Sequence, residues 1–223
     1  MPYETPPWTQ IIAHRGNSGP IPENTVAAIE SAIALGVDMI EVDIRLTRDG
    51  VPILMHSAHV DDTTSGAGLV ADLTSDELRK LDAGSWRGPE FANERVSTLN
   101  EILDVTHERV ALNLDIKVPE AARPTVRAVI RAGALARVVI SGCTSNGVRT
   151  VAEMTSAIAV LFNLDKLLSG IDPSTAPAVT RHSIDLAVEL GAVGINVPHP
   201  LVDADLVAHA AQAGVGVWAF TID

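Results

Sequence analysis

The chain has one cysteine, Cys143, in 223 residues, so it cannot form an internal disulfide. That fits a reducing compartment, or a chemistry that makes no use of thiols, and a cytoplasmic protein is expected. Aromatic residues are scarce, at 3%, too few for base-stacking or sugar-stacking platforms. Positive charge is short as well: 16 Lys and Arg against 28 Asp and Glu leave a formal net charge of −12. A nucleic-acid-binding surface needs the opposite balance, so no nucleic-acid partner is expected. No stretch of about 18 apolar residues is free of charges, which argues against a membrane span. The opening residues Met1 to Trp8 hold neither a basic n-region nor an apolar h-region, so no signal peptide is read there.

What is present is globular. Hydrophobic residues make up 47% and charged residues 20%, enough apolar material to order the chain and bury a core without staples. Short apolar runs at 11–13, 39–44, 110–116, 138–141, 158–162, 193–197 and 215–220 alternate with amphipathic stretches. Ile29, Ala32, Ile33 and Leu35 recur at helical spacing before Gly36, and segments 121–132, 180–190 and 203–213 close on Gly133, Gly191 and Gly214. Near-continuous apolar strands between helices predict a parallel sheet covered on both faces. A doubly wound sheet and a (β/α)8 barrel both fit this pattern. Seven strand–helix starts are seen, and a barrel typically needs about 250 residues. The expected fold is therefore α/β: a TIM (β/α)8-type barrel lacking its eighth βα unit, in one domain over 1–223. Open strand edges in such a barrel call for cover by a second copy of the chain, as a homo-oligomer, or by segment 1–9.

One region breaks the alternation. Thr47-Arg48-Asp49-Gly50 reads as a turn, followed by a short strand at 51–56. A Thr-, Ser- and Gly-rich stretch at 61–68, a short helix at 74–81 and a loop to about 97 come next. The expectation is a small insertion after strand two, about 57–97, on the face where barrels carry their sites.

Five groups of residues suggest chemistry. Glu41 and Asp43 stand two apart on a strand, so both carboxylates point the same way. They either share a hard divalent cation, Mg²⁺ or Ca²⁺, or face the surface and pair with Arg45 and Arg48. Asn113, Asp115 and Lys117 alternate within another apolar run. Asp115 would complete a metal site and Lys117 bind a phosphate oxygen, or the two would simply pair at the strand end. His14-Arg15-Gly16 follows strand one and combines an acid/base imidazole, a phosphate-matching guanidinium and a turn residue. In Pro22-Glu23-Asn24-Thr25, Asn24 or Thr25 can cap the next helix, and Glu23 can aim into a site. His56 ends the short strand and would pair with His14 as acid and base, with His59 a rival inside the loop. His107, His182 and His209 read as surface residues, and His199 as one that lines a pocket or does not. Cys143 reads as structural. Because the net charge repels phosphate anions, a phosphate ester would need exactly such local cations.

Taken together, the chain resembles the glycerophosphodiester phosphodiesterase family. The resemblance is dense from residue 11 to about 84: His14-Arg15-Gly16, Pro22-Glu23-Asn24-Thr25, Glu41-Val42-Asp43, Thr47-Arg48-Asp49-Gly50-Val51-Pro52, His56, Thr63-Thr64-Ser65-Gly66 and Asp72-Leu73-Thr74. Leu112 to Lys117 and Val217-Trp218-Ala219-Phe220-Thr221 extend it. The resemblance implies a barrel with an insertion after strand two. It implies hydrolysis of glycerophosphodiesters to an alcohol and glycerol 3-phosphate with Mg²⁺ or Ca²⁺. Under it Glu41, Asp43 and Asp115 would be metal ligands, and His14 and His56 the acid/base pair. Arg15 and Lys117 would bind phosphate, Glu23 would lie near the metal or the glycerol hydroxyls, and Trp218 would offer a substrate-facing wall. Three positions depart from the family pattern: Ser57 replaces an Asp, Asp62 replaces an Arg, and Asp115 replaces a Glu. Rival readings are a related barrel phosphodiesterase acting on another lipid or sugar head group, and a non-catalytic binding protein on the same fold. A His-x-His zinc site has no counterpart here, and His56-x-x-His59 is a weak substitute.

Overall fold

The computed structural model describes residues 9–172 and 174–222. Residues 1–8, most of the segment expected to cover a strand edge, lie outside the described residues. The described residues divide into two compact units, one up to residue 138 and one from residue 139 onward.

The first unit opens with β1 (Ile12–His14) and α1 (Val26–Leu35). Thr25 caps α1 by accepting from the Ala28 N–H, and Gly36 ends it in the left-handed conformation at φ 75°. β2 (Met39–Leu46) follows and is buried from Met39 through Ile44, as a strand covered on both faces should be. β3 (Pro52–Leu54) turns back antiparallel along β2, with Ile44 opposite Leu54. The turn between them is tied by Thr47, whose hydroxyl donates to Asp49 at 2.6 Å and accepts from the Val51 N–H at 2.9 Å.

The insertion carries α2 (Ser75–Leu78) and three single 3₁₀ turns. It has a small core of its own: Val60, Val70, Leu78, Ala83 and Val96 packed on Ile53 and Met55. The helix expected over 74–81 shrinks to one capped turn, because within α2 only Leu78 is buried. One turn without further packing does not propagate. Then come α3 (Leu99–Val105), β4 (Ala111–Ile116) and α4 (Ala122–Arg131). β1, β2 and β4 are parallel with β2 at the centre.

The second unit runs β5 (Val138–Cys143), α5 (Ser145–Met154), β6 (Ala159–Asn163), α6 (Asp165–Leu168), α7 (Ala176–Leu190), β7 (Gly194–Pro198), α8 (Ala204–Ala213) and β8 (Gly216–Phe220). β5 to β8 are parallel in sequence order. Asp203 caps α8 by accepting from the Leu206 N–H. All seven strands expected from the apolar runs are present, and the glycines read as stops follow α4, α7 and α8. No helix among the described residues is long and apolar enough to cross a membrane.

Candidate active site

Strand register assembles the site. His14 on β1 stands opposite Glu41 on β2, and Glu41 opposite Asn113 on β4. One step nearer the C-terminal ends, Asp43 stands opposite Asp115. Because side chains alternate along a strand, Glu41, Asp43, Asn113 and Asp115 share one face. Oxygens of Glu41, Asp43 and Asp115 lie within 4.8 Å of one another. Lys117, just past β4, places its ammonium on both Asp43, at 2.7 Å, and Asp115. His14 Nε2 lies 3.9 Å from Glu41.

The loop after β1 adds the second cation. Arg15 adopts φ 58°, unusual for a residue with a side chain, and its N–H donates to the Glu41 carboxylate at 3.0 Å. Its guanidinium grips Glu23 at 3.0 Å through Nη1 and lies 3.2 Å from Asp43 through Nε. Gly16 allows the turn. At φ 78° an added Cβ would meet the Ala28 backbone at 2.8 Å, so no other residue fits there. Glu23 therefore enters the site by way of Arg15. Asn24 also stands at φ 59°, and its amide holds Asp43 rather than capping α1.

His56 lies two residues beyond β3, and its carbonyl accepts from Arg45 Nε at 2.9 Å and Nη2 at 2.7 Å. Arg45, weighed as a partner for the acidic pair, thus anchors the histidine's backbone instead. Glu23, Asn24, His56 and Thr63 line one cavity of about 10 Å³, about the room of a single water. His59 is exposed in the insertion, and that cavity does not include it. The Ser57 hydroxyl donates to the Asp62 carboxylate, so the two departures beside His56 pair with each other.

Burial dominates the electrostatics. Glu41 is pushed well above the usual carboxylate range by desolvation and then by the charges of Asp43 and Asp115. Burial would raise Asp43 too, but the Lys117 ammonium, the Asn24 amide and Arg15 hold it below its ordinary value. Burial pulls Lys117 down, yet Asp43 and Asp115 raise it above its ordinary value, so it stays charged. His14 and His56 are both lowered, by burial first and then by Arg15. At neutral pH, without other ligands, both imidazoles are predominantly neutral.

A hard divalent cation fits this donor set. Three carboxylates offer oxygens within a few ångströms, Glu41 is held against its neighbours at an electrostatic cost, and buried Asp43 Oδ1 already faces a cation, the Lys117 ammonium at 2.7 Å. Asn113 Oδ1 is buried and makes no hydrogen bond.

Of the remaining histidines, one lies in the first unit and three in the second. His107 is exposed after α3, His182 and His209 flank Asp185 on α7 and α8, and His199 is exposed after β7. Trp218 is half-buried on β8, in the second unit, opposite Asn196. Cys143 is buried and free of disulfide. Two features escaped the sequence reading: the Arg45 anchor on His56 and the Asn24 clamp on Asp43. The second left a signal, since Asn24-Thr25 offers two capping residues where one helix start uses one.

Carboxylates, imidazoles and cations gathered at the C-terminal ends of parallel strands place the chain among α/β proteins that carry their sites on that edge of the sheet. The model of the Glycerophosphoryl diester phosphodiesterase family matches residues 14–223, and the chain belongs to that family. It is 50% identical over 107 residues to YhdW of Bacillus subtilis, covering 48% of this chain and 44% of that protein. It is 39% identical over 158 residues to a glycerophosphodiester phosphodiesterase of Caldanaerobacter subterraneus, covering 68% and 65%. The chain thus spans about half to two thirds of the length of these curated relatives. A solved Oleispira antarctica phosphodiesterase in complex with the product sn-glycerol-3-phosphate is 29% identical with a TM-score of 0.79, covering 96% of this chain and 85% of that one. The fold class is the TIM-type barrel, and among the described residues three of its parallel strands lie in the first unit and four in the second.

Proposed function

We propose that this protein hydrolyses glycerophosphodiesters to an alcohol and glycerol 3-phosphate, using Mg²⁺ or Ca²⁺ and the histidine pair His14 and His56. The observation that carries the reading is the convergence of Glu41, Asp43 and Asp115 within 4.8 Å beside His14, Arg15 and Lys117. Family membership and the glycerol 3-phosphate held by the Oleispira relative support it.

Under this reading Glu41, Asp43 and Asp115 hold the cation. When bound, it supplies charge neutralisation at a phosphoryl oxygen. Lys117, displaced in part from the carboxylates, and Arg15 take the remaining phosphoryl charge. A guanidinium carries five N–H donors, more than Glu23 and Asp43 occupy. One imidazole, neutral because its pKa is lowered, accepts a proton from the nucleophile, either water or a neighbouring hydroxyl of the substrate, as its oxygen bonds to phosphorus; where the substrate hydroxyl attacks, water then opens the cyclic phosphate to glycerol 3-phosphate. The other, protonated as the anionic substrate arrives, donates to the leaving alkoxide as the old P–O bond breaks. Glu23 fixes Arg15 and stands close to where the glycerol hydroxyls would sit. Trp218 enters the proposal as a substrate wall from the family resemblance of β8 alone. The reading treats residues 1–223 as one catalytic domain with its insertion, working in the cytoplasm. It includes a second copy of the chain over open strand edges, which sedimentation would detect.

The Ser57–Asp62 pair beside His56 favours a second reading, a phosphodiester with a different head group. Both are tested by incubating the protein with a panel of phosphodiesters, with Mg²⁺, Ca²⁺ or chelator, and measuring glycerol 3-phosphate and released alcohol. Metal-dependent release is expected, and His14→Ala should slow it by about 10²–10⁴-fold. Release unchanged in His14→Ala sinks the assignment. Turnover only of a diester without glycerol establishes the second reading.

A further inference from the structure

The two oxygens of Asp43 are in different situations. Oδ2 accepts from Asn24 Nδ2 at 2.8 Å and lies 3.2 Å from Arg15 Nε. Oδ1 is turned away from Asn24 and is paired with the Lys117 ammonium at 2.7 Å. The same Asn24 amide accepts the backbone N–H of Asp43 at 3.1 Å through its own Oδ1. One side chain therefore holds Asp43 at both its backbone and its carboxylate, and the carboxylate cannot turn without breaking a buried hydrogen bond. Asn24 is itself 5% exposed and stands at φ 59°, a left-handed conformation that Asn tolerates better than most residues. Its N–H is fastened to the Arg15 carbonyl at 3.0 Å. Capping α1 requires none of this, because Thr25 does that alone.

We propose that Asn24 is a positioning residue for the cation site: it turns Asp43 so that Oδ2 is spent inside the protein and Oδ1 faces the cation. The inference rests on the metal-dependent reading above. Groups that orient a metal ligand through a hydrogen bond typically change affinity by about 10–100-fold when removed.

Asn24→Gly isolates the amide, since glycine keeps the left-handed backbone. The wild-type protein and Asn24→Gly are titrated calorimetrically with Mg²⁺ and, separately, with Ca²⁺, without substrate. The variant should bind about 10–100-fold more weakly. Raising the metal concentration should restore most of its turnover, with the KM for the diester unchanged. Metal affinity equal to wild type, even with a lowered melting temperature, overturns the proposal and leaves Asn24 as a tie between loop and strand. If wild type takes up neither metal, the metal-dependent reading fails and this inference falls with it. Should Asn24→Gly not fold, Asn24→Asp replaces it. That variant lacks the donor to Oδ2, and affinity at or above wild type would overturn the proposal.

Discussion

Glu41 shows at the scale of one residue what a buried cluster of carboxylates costs in stability. Its carboxyl is buried beside Asp43 and Asp115, and its pKa in the folded state lies above the unfolded value of 4.5. A raised carboxyl pKa favours folding while the group is protonated, and that advantage is lost as pH rises through the folded pKa. Glu41→Gln keeps the shape without the charge. In chelator at pH 7 it should melt at a higher temperature than wild type, and the gap should close toward pH 4. The same variant should lose metal binding. A melting temperature at or below wild type at pH 7 would show that Glu41 is not held against its neighbours. At this scale the sequence was legible where spacing alone set direction. Glu41 and Asp43 had to share a face, and Gly16 had to sit where the chain turns close. Arg45 was not legible: its partner is a carbonyl eleven residues away, and nothing in residue type marks which carbonyl a guanidinium will find.

At the scale of elements, the insertion is the part to test. Its core of Val60, Val70, Leu78, Ala83 and Val96 packs on Ile53 and Met55, next to His56. Leu78 is completely buried, so Leu78→Ala should cost about 2–5 kcal/mol. Hydrogen exchange should place the loosening in residues 57–97, and turnover should fall as His56 loses its setting. Exchange unchanged in that segment would mean that the insertion does not depend on this core. The turn that launches it is fastened to α2: Asp49 accepts from the Ser75 N–H and hydroxyl, both at 2.8 Å. With Thr47 as the larger cause and Ser75 next, Asp49 is held down to about 2. Turn chemistry and capping made the start of this region readable, but helix length depended on burial. Residues 74–81 have helix-compatible composition, yet only one turn finds apolar surface to cover.

For the whole molecule, the predicted cation joins an acidic cluster in a chain with a net charge of −12. A ligand that binds only the folded state stabilises it by mass action. Mg²⁺ or Ca²⁺ at about 100 times its Kd should add about 2.7 kcal/mol, visible as a rise in melting temperature that chelator reverses. The rise should shrink as pH falls, beginning above the ordinary carboxyl range, because protons compete for Glu41 there. Added salt without a divalent ion screens the general repulsion but should not reproduce the effect. No difference between metal and chelator would count against the cluster as a metal site.

Periodicity and local chemistry alone determined the βα alternation, the seven strands and the interruption after strand two, while the order of short motifs carried the family resemblance. Each depends on contacts within a few residues: alternation along a strand, helical spacing, caps and turns. Only the tertiary structure decided that Glu41, Asn113 and His14 form one row while Asp43 and Asp115 form the next. It also decided that Lys117 bridges two carboxylates and that Asn24 holds Asp43 rather than a helix end. Those outcomes depend on strand register and on buried polar groups finding partners. The sequence lists the candidate partners, and packing in three dimensions selects among them.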